Sequence, residues 1–505
     1  MVVSDVSVDV VVDVDGDGDG DVVVDGHCDV NVNVNANAND HDRVRATTSG
    51  LRCCPARSPW AKARKRLRTR AGRWYAALKK MRFTIVHAAD LHLDSPLVGL
   101  ERYDGAPVAE LRSATRRALE NLVQLCLSEG AKLLLLAGDL YDGDWKDYST
   151  GLFFAAQMAR LRESGTRVVW IRGNHDAQSK ITRHLTLGEH CVELGTKRPE
   201  SCLIESLQVA VHGQGFATPA VTEDLTERYP APEAGALNIG LLHSALGGRN
   251  GHANYAPCDV RALTARGYDY WALGHVHQRE VVARAAGAGG VPTVVFPGNL
   301  QARHVREGGA KGATVLEVED GAIVKVEHRA LDVVRFAQLR VDVGAASSLF
   351  DVAELTRGVL HEALEQADGR LLCARVLLAG RSRAHAELVR DPERAKSEVK
   401  SRASELDLGN VWIESVRFAT ELPVDLSELS QRDDAAGQLV RSLRALQSDP
   451  LASAELLAEL ARIGGGLPPE VGLLSLGIDL EDPESTRELI ADVGRMILPR
   501  IVGEP

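Results

Sequence analysis

From residue 83 onward, short apolar runs alternate with longer segments whose apolar residues recur every three or four positions. The first pattern is typical of buried β-strands and the second of amphipathic helices. Strands are predicted at 83–88, 132–136, 168–171, 237–242 and 270–273, and helices at 109–128 and 150–164. Gly130 is placed to end the first helix. This alternation predicts an α/β layered domain.

Beyond residue 330 the pattern changes. Strands at 339–343, 371–378 and 410–416, with helices near 350–366 and 384–406, predict a small α+β domain. After Pro423 the chain is chiefly helical, near 432–447 and 452–463, and Asp482-Pro483 begins a last amphipathic helix. Domain boundaries are therefore predicted at 81–332, 333–422 and 423–505. The terminal helices are open to two uses, docking a partner or folding back on their own domain.

Residues 1–80 differ from the rest. The first 45 are largely Val-Asp, Asp-Gly and Asn-Val pairs, and a basic run follows at 62–73. Asp13, Asp15 and Asp17 imitate a calcium loop, but Val24 stands where the closing bidentate glutamate is needed. The segment is predicted to be disordered or a mis-assigned start, with Met81 as the native initiator. The basic run is either a solvated arm or a contact for nucleic acid.

Five of the predicted strands end in side chains that can bind metal. In chain order these side chains are Asp90, His92, Asp139, Asn174, His175, His243, His275 and His277. In open α/β sheets, ligands gather at the carboxyl ends of the strands, so these side chains are expected to meet. One such strand end is weak evidence, because Gly and Asn are common turn residues. Five such strand ends in one chain indicate a metal site.

The types of donor indicate which metal. A mixture of carboxylate, imidazole and amide suits Mn²⁺, Fe²⁺ or Zn²⁺ better than Ca²⁺. Two ions about 3.5–4 Å apart need a bridging ligand, and Asp139 is the best candidate. Asp90 and His92 are predicted to lie two apart on an extended segment, facing the same side, and His275 and His277 share that spacing.

The ordered motifs D-x-H, G-D, G-N-H-D, H and G-H-x-H resemble those of the calcineurin-like metallophosphoesterase superfamily over about residues 83–280. The resemblance implies a four-layer sandwich, two β-sheets flanked by helices. It also implies that Asp90, His92, Asp139 and His277 hold one ion. Asp139, Asn174, His243 and His275 would hold the other. His175 would be no ligand; it would stabilise the transition state or protonate the leaving oxygen after attack by a metal-activated hydroxide.

Within that superfamily, the segments Ala89–Pro96, Gly138–Asp142, Tyr270–His277 and Pro297–Gln301 look like the bacterial DNA repair exonuclease branch, the SbcD and YhaO-like subunits. This likeness implies a manganese-dependent phosphodiesterase acting on DNA. Its usual partner is an SbcC-like coiled-coil ATPase, and its α+β domain caps the DNA. A homodimer is left open, and Fe²⁺, Zn²⁺ and Mg²⁺ remain alternatives to Mn²⁺. The competing function is a small-molecule phosphatase or cyclic-nucleotide phosphodiesterase, and a non-catalytic scaffold would predict eroded ligands.

Other polar residues receive less specific predictions. Arg303, His304 and Arg306 either contact DNA phosphates or form a solvated basic turn. His87 and His212 are predicted to be ordinary strand histidines, and Asp94 and Asp142 to act as turn or cap residues. Asp176 either orients His175 or closes its own turn.

Composition narrows the class of protein. A formal net charge of −11 argues against a free-standing, strongly basic nucleic-acid binder, although it does not exclude a local cationic site. The eight cysteines include no C-x-x-C pair, which favours a reduced, cytosolic protein. No run approaches the ~18 apolar residues of a membrane span, so neither secretion nor a transmembrane anchor is predicted.

Overall fold

The structure is a computed structural model in which the chain divides into two units, Met1–Lys79 and Lys80–Pro505. It describes residues 81–95, 105–142, 148–178, 187–248, 255–284, 291–406, 409–423, 426–448 and 456–462, with isolated residues after 488 and four short strands in the first unit. Those strands form two antiparallel pairs, Val12–Val14 with Gly20–Val22 and Val32–Asn35 with Arg45–Thr48. Apart from those strands, residues 1–80, with their predicted disorder, calcium loop and basic arm, lie outside the described residues, and so does the start of the helix predicted at Asp482.

The second unit contains fifteen strands and nine helices among its described residues. The strands are β1 (Arg82–Ala88), β2 (Leu133–Ala137), β3 (Arg167–Ile171), β4 (Cys191–Glu193), β5 (Glu200–Ile204), β6 (Val209–Gly213), β7 (Leu237–His243), β8 (Tyr270–Gly274), β9 (Glu280–Ala283), β10 (Thr293–Phe296), β11 (Gly312–Glu319), β12 (Ala322–Ala330), β13 (Val334–Asp342), β14 (Leu371–Arg381) and β15 (Val411–Glu421). The α-helices are α1 (Val108–Ser128), α2 (Tyr148–Glu163), α3 (Asn174–Gln178), α4 (Val260–Ala265), α5 (Leu349–Ala367), α6 (His385–Arg390), α7 (Pro392–Leu406), α8 (Leu426–Leu429) and α9 (Ala435–Ser448).

Two six-stranded sheets form the centre of residues 81–332. The first has the order β12-β11-β1-β2-β3-β4, and its strands β1 to β4 are parallel. The second has the order β9-β10-β8-β7-β6-β5, and β6, β7, β8 and β10 are parallel. Parallel strands need crossover connections, which α1 and α2 supply in the first sheet.

Three apolar layers hold the two sheets together and cover them. Side chains from the inner faces, such as Ile85, Leu135 and Ile239, pack against one another between the sheets. α1 and α2 cover the outer face of the first sheet, where Leu119 and Phe154 are buried. A cluster around Trp271 and Leu263 of α4 covers the outer face of the second sheet. These layers confirm the predicted four-layer α/β sandwich.

The third sheet, β13-β14-β15, is parallel, and α5 to α7 lie between its strands in sequence. α5 begins with a capping box in which Ser348 and Asp351 satisfy each other's backbone N–H groups. The predicted single helix at 384–406 is wrong, because two helices meet at Asp391 and Pro392. Proline lacks the N–H that a continuous helix requires and therefore starts the second helix.

No helix among the residues described is long and apolar enough to cross a membrane. The five cysteines between Cys126 and Cys373 are free thiols. In the C-terminal region, α8 and α9 pack through Leu429, Ala436 and Val440, and residues 456–462 are helical.

Candidate metal centre

The predicted ligands come from strand ends in both central sheets. β1, β2 and β3 of the first sheet lead to Asp90, Asp139 and Asn174, while β7 and β8 of the second lead to His243 and His275. The two sheets approach very closely here. A Cβ added at Gly274 would lie 1.9 Å from Ala137 O, and one added at Gly173 would lie 2.2 Å from Asp139 Oδ1. Only glycine leaves room for this approach.

Several candidate ligands have a left-handed backbone, which side chains other than glycine rarely adopt. The φ angles are 52° at Asp90, 42° at His92, 54° at Asp139 and 96° at His275. The prediction that Asp90 and His92 lie on an extended segment is therefore wrong. The turn itself, held by backbone hydrogen bonds from Asp90 N to Gly138 O and from His92 N to Asp139 O, brings both side chains inward.

The side chains meet in three overlapping groups whose ligand atoms lie within 4.8 Å of one another: Asp90, His92 and His277; Asp139, His243 and His275; and His92, Asp139 and His175. Asn174 joins the second group, since its Oδ1 lies 3.0 Å from His243 Nε2. Every predicted metal ligand thus reaches the same small volume. Asp139 lies between the first two groups, with Oδ2 3.8 Å from His92 Nε2 and 3.5 Å from His243 Nε2.

The imidazoles are oriented so that their Nε2 atoms face the centre. His243 Nδ1 lies 2.8 Å from the carbonyl oxygen of Ala137, and His277 Nδ1 lies 2.6 Å from Glu307 Oε1. An acceptor on Nδ1 keeps the proton there and leaves the Nε2 lone pair free for a metal. His92 Nε2 and His277 Nε2 are only 3.2 Å apart, as expected of two ligands of one ion.

The electrostatics of the site also fit cations. Burial raises the pKa of Asp90 to about 6, which disfavours its anionic form until a positive ion is near. Burial lowers the pKa of His92 to about 3, so its imidazole is neutral, the form that binds metals. Two carboxylates, an amide oxygen and four imidazoles match the donor set of borderline divalent ions. The residues present therefore fit a pair of divalent metals that shares Asp139.

His175 differs from the other histidines in exposure and partner. Its side chain is 37% exposed, whereas those of His92 and His243 are 1% and 0% exposed. Its Nδ1 lies 2.7 Å from Asp142 Oδ1, and the hydrogen bond to this carboxylate raises the pKa of His175. The accessible ring is therefore held in place and favoured as the protonated donor that a leaving oxygen needs.

Asp142 and Glu307 are functional candidates that sequence reasoning did not assign. Asp142 was predicted to be a turn or cap residue, but its carboxylate contacts His175 and also accepts from Ser95 Oγ. The spacing Gly138-Asp139-x-x-Asp142 was the only signal for it. Glu307 lies 30 residues after its partner His277 and had no signal in the sequence.

Asp176 holds two loops of the site together. Its carboxylate accepts hydrogen bonds from the backbone N–H groups of Leu140 at 2.9 Å, Tyr141 at 3.0 Å and Gly173 at 3.0 Å. Asp176 is fully buried, and these bonds join the loop after β2 to the loop after β3. Of the two predicted roles, closing the turn fits these contacts, and the group that meets the His175 ring is Asp142.

Asp176→Ala is expected to lower the free energy of unfolding by about 2–4 kcal/mol, because it leaves buried N–H groups without an acceptor. Urea unfolding of the metal-free protein measures the change. Hydrogen exchange should show faster exchange at the amides of Leu140 and Tyr141. Asp433→Ala, at an exposed carboxylate, provides the comparison, and equal midpoints for the two variants would contradict the role of Asp176.

The remaining predicted polar residues are accounted for by contacts. Arg303 is 17% exposed, and its guanidinium approaches Asp142 at 3.4 Å and Glu307 at 3.6 Å. His304 is 55% exposed beside Glu307. Asp94 accepts from Arg116. The ring of His87 hydrogen-bonds to β8 of the opposite sheet, and that of His212 to strands of its own sheet and the residues beside them. Arg303 therefore lies in a carboxylate network at the edge of the site.

Comparisons with known proteins agree with this geometry. The calcineurin-like phosphoesterase family matches residues 83–279, and the family of the metallophosphoesterase YhaO middle domain matches residues 336–421. The uncharacterized metallophosphoesterase YhaO of Bacillus subtilis is 34% identical over 303 residues, which cover 59% of this chain and 72% of that protein. The chain belongs to the calcineurin-like metallophosphoesterases and, within them, to the YhaO and SbcD-like branch.

A second relative is the DNA double-strand break repair protein Mre11 of Methanopyrus kandleri. It is 25% identical over 433 residues, which cover 77% of this chain and 87% of that protein. Among solved structures, a dimetal phosphatase from Danio rerio aligns with 48% of this chain and 98% of its own at 11% identity, with a TM-score of 0.28. That score is too low to carry an argument. Because the chain is a metallophosphoesterase, it is a hydrolase, and the family to which it belongs uses divalent metals.

Proposed function

We propose that this protein is a phosphodiesterase that hydrolyses DNA with two divalent metal ions, Mn²⁺ being the expected species, and acts as a DNA repair exonuclease subunit. One observation carries the proposal: Asp139 lies between two groups of candidate ligands, within 4 Å of His92 in one and of His243 in the other, and His175 is the most exposed histidine beside them. Asp90, His92, Asp139 and His277 would hold one ion, and Asp139, Asn174, His243 and His275 the other.

The bound metals would polarise a phosphoryl oxygen and lower the pKa of a water molecule towards neutrality. The protein's own residues supply the rest of the chemistry. Asp142 holds the His175 ring at 2.7 Å and favours its protonated form, so that Nε2 can donate a proton to the departing oxygen. The left-handed turns at Asp90 and Asp139 keep the buried carboxylates in place without reorganisation during the reaction.

Two features favour DNA over a small phosphate ester. The similarity to an archaeal double-strand break repair protein covers 77% of the chain and so extends beyond the phosphoesterase match at 83–279. The segment predicted as a separate domain at 333–422, called the third domain below, contains β13 to β15 and also packs beside the metal centre. Ala302 and Val305 share an apolar cluster there with Phe336 and Trp412. A large surface next to the site suits a polymeric substrate. Arg303 and His304 remain proposed phosphate contacts, His304 being the more exposed.

The test compares substrates under one set of conditions. Purified protein with Mn²⁺ is expected to release nucleotides from linear duplex or single-stranded DNA, and a chelator should stop the release. Bis-p-nitrophenyl phosphate, p-nitrophenyl phosphate and cyclic nucleotides form the comparison panel, with Asp139→Ala as the background control. Hydrolysis of the small esters with no cleavage of any DNA would favour the small-molecule alternative instead.

We predict that the partner of this protein is an SbcC-like coiled-coil ATPase subunit. Whether the protein also forms a homodimer is left open. Affinity purification of the full chain from its native cell is expected to recover a large ATPase with a long coiled coil. Recovery of the phosphoesterase without such an ATPase would count against the partner and leave the proposed chemistry unaffected.

A further inference from the structure

One buried carboxylate beside the metal centre, Glu307, has no part in the reaction as described. It is 7% exposed, and its Oε1 lies 2.6 Å from His277 Nδ1. A carboxylate oxygen at this distance accepts the Nδ1 proton and so fixes the tautomer and direction of the His277 ring.

Glu307 is itself held by groups from the segment that precedes it. Its Oε2 accepts from Asn299 Nδ2 at 3.0 Å and from the backbone N–H of Arg303 at 2.7 Å. The backbone of His277 is held as well, since its carbonyl oxygen accepts from Lys311 Nζ at 2.7 Å. Both the ring and the backbone of His277 thus depend on residues 299–311, which connect β10 of the second sheet to β11 of the first.

The same segment is bonded to the first strand of the third domain. Gln301, 1% exposed, accepts from Val333 N at 2.8 Å through Oε1 and donates to Val334 O at 2.8 Å through Nε2. Further along β13, Gly309 N donates to Phe336 O at 3.1 Å. Apolar packing of Ala302 and Val305 against the third domain adds to these bonds. Displacement of β13 would move the segment that carries Glu307.

We infer that Glu307 is a positioning residue for His277 and that the third domain, through Gln301 and the segment 301–309, sets the position of Glu307. The inference rests on the proposed function, in which His277 is a metal ligand. Substrate or a partner that moves the third domain would then change how firmly one of the two ions is bound. The other ion, with Asp139, Asn174, His243 and His275 as its proposed ligands, would respond less.

The experiment measures Mn²⁺ binding by isothermal titration calorimetry on the full chain after removal of metals, with no substrate present. The wild-type protein is expected to bind two ions. Glu307→Gln, which keeps the size of the side chain and removes its charge, is expected to weaken one ion about tenfold, and Glu307→Ala by up to about a hundredfold. Gln301→Ala, which does not touch His277, is expected to weaken the same ion severalfold. Glu362→Gln, at an exposed position on α5, is the matched control.

Each outcome decides a part of the inference. Wild-type affinities in both Glu307 variants would overturn it entirely. Weakened binding in Glu307→Gln with unchanged binding in Gln301→Ala would keep the positioning role and overturn the link to the third domain. If Glu307→Ala does not fold, Glu307→Gln and Gln301→Ala decide the question. Equal weakening in Glu362→Gln would show a non-specific effect and count against the inference.

A second readout separates positioning from a structural role. Because only metal affinity is impaired, excess Mn²⁺ is expected to restore the hydrolysis of bis-p-nitrophenyl phosphate by Glu307→Gln to within about threefold of the wild-type rate. A deficit that persists at saturating metal would contradict positioning through His277. The binding measurement requires no turnover, so failure of the DNA proposal leaves this inference testable.

Discussion

Asp139→Asn is expected to lower phosphoesterase turnover at least about a thousandfold and to abolish tight binding of both metal ions. Asp139 lies within 4 Å of imidazoles from both ligand groups, at 3.8 Å from His92 Nε2 and 3.5 Å from His243 Nε2. Asparagine keeps an oxygen that can accept the backbone N–H of His175, which Asp139 Oδ1 now accepts at 2.9 Å. The loss is therefore that of charge and bridging, with the turn preserved.

Metal stoichiometry and turnover are both measured for this variant, with Asp433→Asn as a control at an exposed aspartate. A variant that still binds two ions with wild-type affinity would show that Asp139 does not bridge them. Circular dichroism of the metal-free proteins establishes that the fold is intact. Burial alone would raise the pKa of Asp139, but the neighbouring imidazoles outweigh burial and hold that pKa well below its ordinary value. The charge of Asp139 therefore stabilises the fold, and we expect the metal-free variant to be less stable than the metal-free wild type.

His175→Ala is expected to keep both metal ions and to lose about 10²–10⁴-fold in turnover, the range expected for a general acid. Its ring is accessible and lies against Asp142, unlike the buried rings proposed as ligands. Single-turnover kinetics and calorimetric titration with Mn²⁺ separate the two effects. Loss of one metal with the loss of rate would show that His175 belongs to the ligand set, as its proximity to His92 and Asp139 allows.

A substrate with a better leaving group tests the role of His175 more directly. If His175 protonates the leaving oxygen, a p-nitrophenolate ester should suffer less from His175→Ala than a DNA phosphodiester does, because nitrophenolate departs without a proton. Asp142→Asn should show the same pattern with a smaller loss, since it only weakens the hold on the ring. Equal losses on both substrates would favour transition-state stabilisation over proton donation.

Much of the phosphoesterase domain could be predicted because its strands are short apolar runs and its helices are amphipathic. The helix predicted at 109–128 is observed as Val108–Ser128, and the one at 150–164 as Tyr148–Glu163. The pairing of strands into two sheets came from the resemblance of motifs, since periodicity gives no information on which strands are neighbours. The break between α6 and α7 at Asp391-Pro392 was not predicted, although the proline was visible in the sequence.

The convergence of the candidate ligands was predicted from one rule, that ligands collect at the carboxyl ends of parallel strands. The local geometry was not. Extended backbone at Asp90 and His92 was the reasonable expectation for a strand end, and the left-handed turns became visible only through φ angles of 52° and 42°. Such angles persist because the surrounding hydrogen bonds impose them, and those bonds involve residues far away in sequence.

The order and types of polar residues after the strands carried the resemblance to the metallophosphoesterases and predicted a set of donors that fits divalent metals. Only the tertiary structure decided which groups hold the side chains of the site in place. Asp142 meets His175 across 33 residues, Asp176 clamps the loop that follows β2, and Glu307 meets His277 across 30 residues. The physical reason is that metal donors must be of particular chemical types, which sequence motifs record. The groups that orient the metal donors need only lie close to them, and which groups lie close depends on how the two sheets and the third domain pack.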